Sequence, residues 1–170
     1  MKVLALTTDG RLTYCSASPE NIGKGKCNHV LHQNKNESNE NFAKRIAESL
    51  LKKSADNYRK EVLSLNISEK LKMIENHKNL DILVDDENYT IRAAVAEQGY
   101  GLDKLIDDKN WRVRTAVAEQ GYGLDKLVND EIWIVREAVA KQGYGLKKLI
   151  NDKNKNVRKA AKYYKIYTDR

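Results

Sequence analysis

The chain has 170 residues, with 31 Lys and Arg against 24 Asp and Glu, a formal net charge of +7, two Cys and one Pro. That length bounds the fold to one domain, or to a small module joined to a second. No apolar run reaches the roughly 18 residues of a membrane span, the opening MKVLALTTDG turns polar too soon for a signal peptide, and two Cys are too few for a secreted disulfide scaffold.

From the N-terminus, KVLALTTDGRLTYCS reads as a β-hairpin. Val3 to Leu6 form one strand, Asp9-Gly10 the turn, and Leu12 to Cys15 the return strand. The following SASPENIGKGKCNHVLHQ holds the only Pro and two Gly, and reads as a loop. Both Cys of the chain and two of its three His fall close together, as C-x11-C-x-H-x2-H: Cys15, Cys27, His29 and His32. Thiolate and imidazole are the ligands of tetrahedral zinc, and a small hairpin gains folding energy from such a site, so zinc is the expected cofactor. The spacing is not that of the common ββα finger. Two buried thiols beside two surface His, or a Cys27 nucleophile with His29 or His32, are the alternatives. Lys24, Lys26 and Arg11 make a local basic patch, read either as a partner contact or as a solvated face.

NKNESNEN, residues 34–41, reads as a polar linker. Ser38 is a candidate cap for an amphipathic helix over 39–53 carrying Phe42, Ile46, Ala47 and Leu50. A second helix is expected over Asp56–Leu65, and a third after a Ser68 cap, with Leu71 and Ile74 facing inward. His77 reads as a surface residue. The expected domains are 1–36, a hairpin zinc module; 37–79, a helical linker and N-terminal cap; and 80–170, a repeat array.

From Leu80 the sequence repeats every 22 residues, in units starting at Leu80, Leu102, Leu124 and Leu146. Each unit reads as a short helix L-x-x-L-[VI], an Asp, and a second helix containing V-R-x-A-V-A, as in Val113–Ala118. Val113, Ala116, Val117 and Gln120 share one narrow face. Asp86, Asp108, Asp130 and Asp152 are candidate caps for the second helix. Gly121 suits a left-handed helix end and Gly123 a tight turn. In the fourth unit YKIY replaces QGYG, and Ala161 takes the place of Val95, Val117 and Val139, as in a polar C-terminal cap.

These units, through D-x5-R followed by A-V-A over residues 80–167, resemble HEAT-like repeats and most closely the leucine-rich repeat variant family. QGYG stands where the family turn carries Pro. The resemblance implies a short right-handed α-solenoid used for macromolecular contact, and no enzyme. The expected fold class is therefore mostly α, with a small N-terminal β-hairpin module.

Three rows recur on the units. Tyr89, Trp111, Trp133 and Lys155 lie roughly opposite Val113 and Val117 by helical angle; they form either an exposed ladder for a partner or packing between repeats. Arg92, Arg114, Arg136 and Arg158 read either as a phosphate stripe or as a hydrogen-bonded ladder between repeats with the recurrent Asp; one Arg matched by one Asp per unit favours the ladder. Tyr100, Tyr122 and Tyr144 read as turn packing.

The charge is segregated: residues 1–79 carry a net +5, residues 80–145 a net −5 and residues 146–170 a net +7. Any electropositive surface is expected at the two ends. The function expected is non-catalytic binding of a large protein, in a bacterial or phage-infected cytoplasm and not at a membrane. By analogy of class, phage-encoded inhibitors of bacterial defence, such as an anti-CRISPR protein acting on an RNA-guided effector nuclease, fit the size, charge and make-up. The alternative is nucleic-acid binding on a scaffold like that of the HEAT-like DNA glycosylases, against which the acidic middle counts.

Overall fold

The computed structural model describes residues 3–7, 12–15, 29–34 and 36–168. The protein is mostly helical. It divides into two compact units, Met1–Tyr58 and Arg59–Arg170. No described helix is long and apolar enough to cross a membrane.

In the first unit, strands β1 (Val3–Thr7), β2 (Leu12–Cys15) and β3 (His29–His32) form a sheet of order β2-β1-β3. Both pairings are antiparallel. Val3 faces Cys15 and Leu6 faces Leu12 across the first; Leu6 faces Leu31 and Ala5 faces His32 across the second, with a register shift between Leu6 and Thr7. The segment read as a loop thus ends in a strand. Four residues, His-Val-Leu-His, are too few to show a period of two, and their ladder is supplied by β1, a partner distant in sequence.

Helix α1 (Asn39–Ser64) follows, its first turn capped by Ser38 Oγ, which accepts the Asn41 N–H at 3.2 Å. Phe42 and Ile46, one turn apart, are buried with Leu31 packed on them. The polar stretch read as a linker is folded where it is described. The Glu37 carboxylate accepts the Asn34 N–H at 2.8 Å and two guanidinium bonds from Arg45 at 2.9 and 3.0 Å. The Arg45 guanidinium also lies 5.3 Å over the Phe42 ring. Two helices were expected here, but α1 runs unbroken for 26 residues. It contains neither Pro nor Gly, so nothing at Ser54-Ala55-Asp56 removes a backbone bond.

The second unit begins within α1, at Arg59. Helix α2 (Ile67–Glu75) opens with a capping box: Asn66 Oδ1 accepts the Glu69 N–H at 3.0 Å, and the Glu69 carboxylate accepts the Asn66 N–H at 3.1 Å. The cap is Asn66, not Ser68, because the box needs its acidic residue three positions on. Four pairs of a short and a longer helix follow. They are α3 (Leu80–Leu83) with α4 (Tyr89–Glu97), α5 (Leu102–Leu105) with α6 (Trp111–Glu119), α7 (Leu124–Leu127) with α8 (Trp133–Lys141), and α9 (Leu146–Leu149) with α10 (Lys155–Thr168).

The longer helices stack in chain order, α2 on α4, α4 on α6, α6 on α8 and α8 on α10. Ala96, Ala118 and Ala140 are wholly buried, as are Val95, Val117 and Val139. Small side chains on that face let neighbouring helices approach closely. Leu83, Leu105, Leu127 and Leu149 bring each short helix into the same core, and each buried Val or Leu is worth about 1.5–3 kcal/mol over its exposed state. Gln120, expected on the inner face, is instead the exposed C-cap of α6.

Each reversal between units uses two glycines. At the end of α6 the Gly121 N–H donates to Ala118 O at 2.9 Å and the Tyr122 N–H to Val117 O at 3.3 Å, the paired bonds of a Schellman motif. Gly121 has φ +73 and Gly123 φ +58. They differ in surroundings: a Cβ on Gly121 would meet nothing, whereas one on Gly123 would collide with Ile106 Cδ1.

Gly121→Ala should therefore cost only the left-handed backbone penalty of about 1–2 kcal/mol. Gly123→Ala should add the strain of overpacking, about 1–3 kcal/mol more. Urea unfolding of the two variants measures the difference, and equal losses would contradict this account of the turn.

Candidate functional site

The polar feature shared by every unit is a clamp. Arg92, on α4, donates from Nε to Asp108 Oδ2 at 2.6 Å and from Nη2 to Asp108 Oδ1 at 2.9 Å. Arg114 does the same to Asp130 at 2.6 and 3.0 Å, and Arg136 to Asp152 at 2.7 and 2.9 Å. Each is a bidentate pair between one unit and the next. The remaining nitrogen, Nη1, holds the loop of its own unit: Arg92 donates to Asp86 O at 2.6 Å and Glu87 O at 2.9 Å, and Arg136 to Asp130 O at 2.6 Å and Glu131 O at 3.1 Å. At the start of the array Lys70 stands in for an Arg, donating to Asp86 Oδ2 at 2.7 Å with both residues buried.

Each Asp has a second task, and it is not the expected one. Asp108 Oδ1 accepts the Asn110 N–H at 2.8 Å, and Asp130 Oδ1 the Ile132 N–H at 2.8 Å. The aspartate thus closes the loop, and the helix cap is the residue two positions later. Asn88, Asn110 and Asn154 accept the N–H of Thr90, Arg112 and Asn156 at 2.8, 2.9 and 2.8 Å. Ile132 in the third unit supplies no side-chain cap and packs on the core instead.

Burial raises the Asp108 carboxyl, but the bonds from Arg92 and from the Asn110 N–H outweigh it and hold it below its ordinary value of 3.8. The Arg136 bond, against burial, likewise holds Asp152 below 3.8. On the surface, Lys104 with Asp85, Lys126 with Asp107 (2.6 Å) and Lys148 with Asn129 form an exposed rail. Exposed pairs of this kind contribute little.

The aromatic row does not form an exposed ladder. Tyr89, Trp111 and Trp133 are the first residues of α4, α6 and α8; Tyr89 is exposed, but both Trp are half-buried against the core. The Arg112 guanidinium lies 4.5 Å from the Trp111 ring centroid and 5.4 Å from that of Tyr89, joining two units. Helical angle placed this position opposite the core. Side chains in the first turn lean toward the helix N-terminus, however, and so cover the preceding loop. Lys155, the fourth member of the row, is exposed at the start of α10.

The turn tyrosines, read as packing, are the exposed aromatic row: Tyr100, Tyr122 and Tyr144 are 40%, 41% and 41% exposed. Glycines on both sides were the available signal, since such a turn presents its middle side chain outward.

Of the four residues read as zinc ligands, Cys27 lies outside the described residues, as do Lys24, Lys26 and Arg11. Cys15 ends β2 opposite Val3, and His29 and His32 bound β3 opposite Thr7 and Ala5. β1 therefore lies between the strand that ends in Cys15 and the strand bounded by the two His. His77, exposed, follows α2 with φ +52. No family model, curated protein or solved structure matches this chain.

Arg114→Ala, which leaves Asp130 half-buried and unpaired, should lower stability by about 3 kcal/mol or more, while Lys126→Ala on the exposed rail should change it by less than about 1 kcal/mol. Urea midpoints of the two variants test this contrast. Acid should act on the same clamp. The folded chain binds fewer protons than the unfolded one near Asp108 and Asp152, so their contribution is complete above pH 3.8 and is lost as pH falls below that value. Chemical denaturation between about pH 6 and pH 2 should show the stability falling in the acid limb, and a flat profile there would be inconsistent with the paired carboxylates.

Proposed function

We propose that the chain is a non-catalytic binding protein whose helical units form a short right-handed α-solenoid of the HEAT-like, leucine-rich repeat variant kind. Its partner on this reading is a large protein, such as a bacterial nucleic-acid-processing complex that it inhibits or modulates. One observation carries the reading: the exposed tyrosines Tyr100, Tyr122 and Tyr144 occupy the same glycine turn in three successive units. Helices packed in contact are about 8–10 Å apart, so the row repeats at about that interval. Tyrosine combines a large apolar area with a hydroxyl and is enriched where proteins bind one another most tightly. The net −5 of residues 80–145 supports a protein partner over a nucleic acid along this row. At the N-terminus the β-hairpin is proposed as a module closed by zinc on Cys15, Cys27, His29 and His32, and the cytoplasm, where thiols stay reduced, is its proposed compartment.

The test is affinity capture with mass spectrometry from a bacterial lysate, with and without chelator, alongside elemental analysis. A specific stoichiometric complex is expected from the wild type and should be lost with Tyr100, Tyr122 and Tyr144 all changed to Ser, with helix content and urea midpoint unchanged. About one zinc per chain is expected, lost on Cys27→Ser. A complex indifferent to the three tyrosines would overturn the surface, and metal-free protein of unchanged stability would overturn the zinc.

A further inference from the structure

The clamp has an open end. Arg158 occupies in the fourth unit the position of Arg92, Arg114 and Arg136. Its Nη1 makes the same bonds to its own loop, to Asp152 O at 2.7 Å and Lys153 O at 3.0 Å. In the earlier units Nε and Nη2 then grip the aspartate of the next unit. At Arg158 the pattern changes: α10 runs on to Thr168 through the positions that elsewhere form the glycine turn. Its Nε and Nη2 have no carboxylate among the described residues. The guanidinium is therefore fixed by two carbonyls and presents a two-pronged edge of the kind that holds Asp108, Asp130 and Asp152.

The helix face around that edge has changed in step. On α8, Ala140 is wholly buried, Arg136 is buried, and Trp133 and Glu137 are half-buried. The matching positions on α10 are Lys162, Arg158, Lys155 and Lys159, and the three lysines are exposed. Lys155, Lys159 and Lys162 are spaced four and three residues apart, so they share one side of α10 along a rise of about 10 Å. Positions that are buried or half-buried on α8 are here a row of cations around a preorganised fork, with Ile166 exposed beside them.

We propose that this end of the array is a seat for an acidic segment of a partner protein, one of whose aspartates takes on Arg158 the place held by Asp108 on Arg92. The fork is already immobilised, so little side-chain freedom is lost on binding. The lysines draw and orient further carboxylates. The bidentate geometry favours a planar carboxylate, and three intramolecular examples show which residue fits. The seat rests on the reading of the chain as a binder of proteins, and names the chemistry of the partner.

The full-length protein is titrated against a fluorescent peptide of sequence LDILVDDENYTI, its Asp-to-Asn counterpart, and a dodecamer of deoxythymidine, at about 20 mM and 150 mM salt. Binding of the acidic peptide is expected at low salt, weakened about tenfold or more by the Asn counterpart. Arg158→Lys, which keeps the charge and loses the fork, should weaken it about fivefold. Lys155, Lys159 and Lys162 changed together to Gln should weaken it and flatten its salt dependence. Circular dichroism and urea midpoints should stay at wild-type values for the triple variant, so loss of binding there is not loss of fold. Equal affinity for the Asn peptide, no effect of Arg158→Lys, or tighter binding of the oligonucleotide than of the peptide would each overturn the seat. A captured partner that depends on the tyrosine row but not on Arg158 or the lysines would remove the seat and leave the binding function standing. Failure to capture any protein, with peptide binding intact, would do the reverse.

Discussion

The interaction on which the rest of the second unit depends is the arginine clamp. A bidentate ion pair taken out of water gains little over a well-packed apolar pair, because the cost of stripping both charges offsets their attraction. What it supplies here is register. Apart from Ile91 and the arginines, the buried faces of α4, α6 and α8 are built from Val and Ala, and small apolar side chains alone define register weakly. The clamp cannot slide. Arg114 satisfies two oxygens of Asp130 and the carbonyl of Asp108 at once, and Asp130 in turn holds the Ile132 N–H. A shift of one residue between units would leave a buried guanidinium and a buried carboxylate without partners, at a cost of several kcal/mol. Its period is thus a consequence of chemistry as much as of helix length.

The same bonds explain why the loops between the short and long helices are alike. Each loop has carbonyls that no helix satisfies, and a buried unsatisfied carbonyl costs free energy. Arg92, Arg136 and Arg158 each take two of them. The other reversal, from the long helix to the next short one, solves the same problem through backbone alone, with the paired bonds of Gly121 and Tyr122. Because that turn is closed without side chains, the tyrosine between its glycines is not needed for packing and stands out from it. The exposed aromatic row is thus a by-product of a glycine-closed turn, available for binding because the fold does not consume it.

Much of this was legible in the sequence, and the limits have physical causes. The repeat and its two-helix reading come from a period that survives any change of conformation. One Arg matched by one Asp per unit pointed to a ladder between repeats, and the Asp108 carboxylate is held by Arg92 of the preceding unit; the bond from Arg114 to the backbone carbonyl of Asp108 within the unit had no signal in the spacing. Of the two readings left open for Trp111 and Trp133, packing holds and the exposed ladder does not, because helical angle describes a side chain's azimuth and not its lean along the axis. β3 and the continuity of α1 were missed for opposite reasons: one needs a distant partner, and the other needs only the absence of a breaker. The residues around Cys27 that bear on zinc lie outside the described residues, so only the order of the strands carrying Cys15, His29 and His32 informs that reading.

A stacked array has two ends, and this one closes them by different physics. At the N-terminal end the faces of α3 and α4 are covered by Val62 and Ile74, and the first aspartate, Asp86, is matched by Lys70 from α2. Lysine offers a point charge and not a fork, so it can neutralise Asp86 without holding a loop of its own. That is sufficient where apolar helices already fix the geometry. At the C-terminal end no apolar cover is present among the described residues. The face of α10 that matches the stacked face of α8 carries Lys155, Lys159 and Lys162, with Ile166 exposed beside them. Charge at these positions makes an apolar helix packed there unfavourable. It does not dispose of Arg158, whose inner edge is needed to satisfy the last loop. Replacing that arginine by an apolar residue would leave the carbonyls of Asp152 and Lys153 without their donor. The open outer edge is therefore a necessary residue of the repeat mechanism, and the lysines around it set the sign of whatever can bind there.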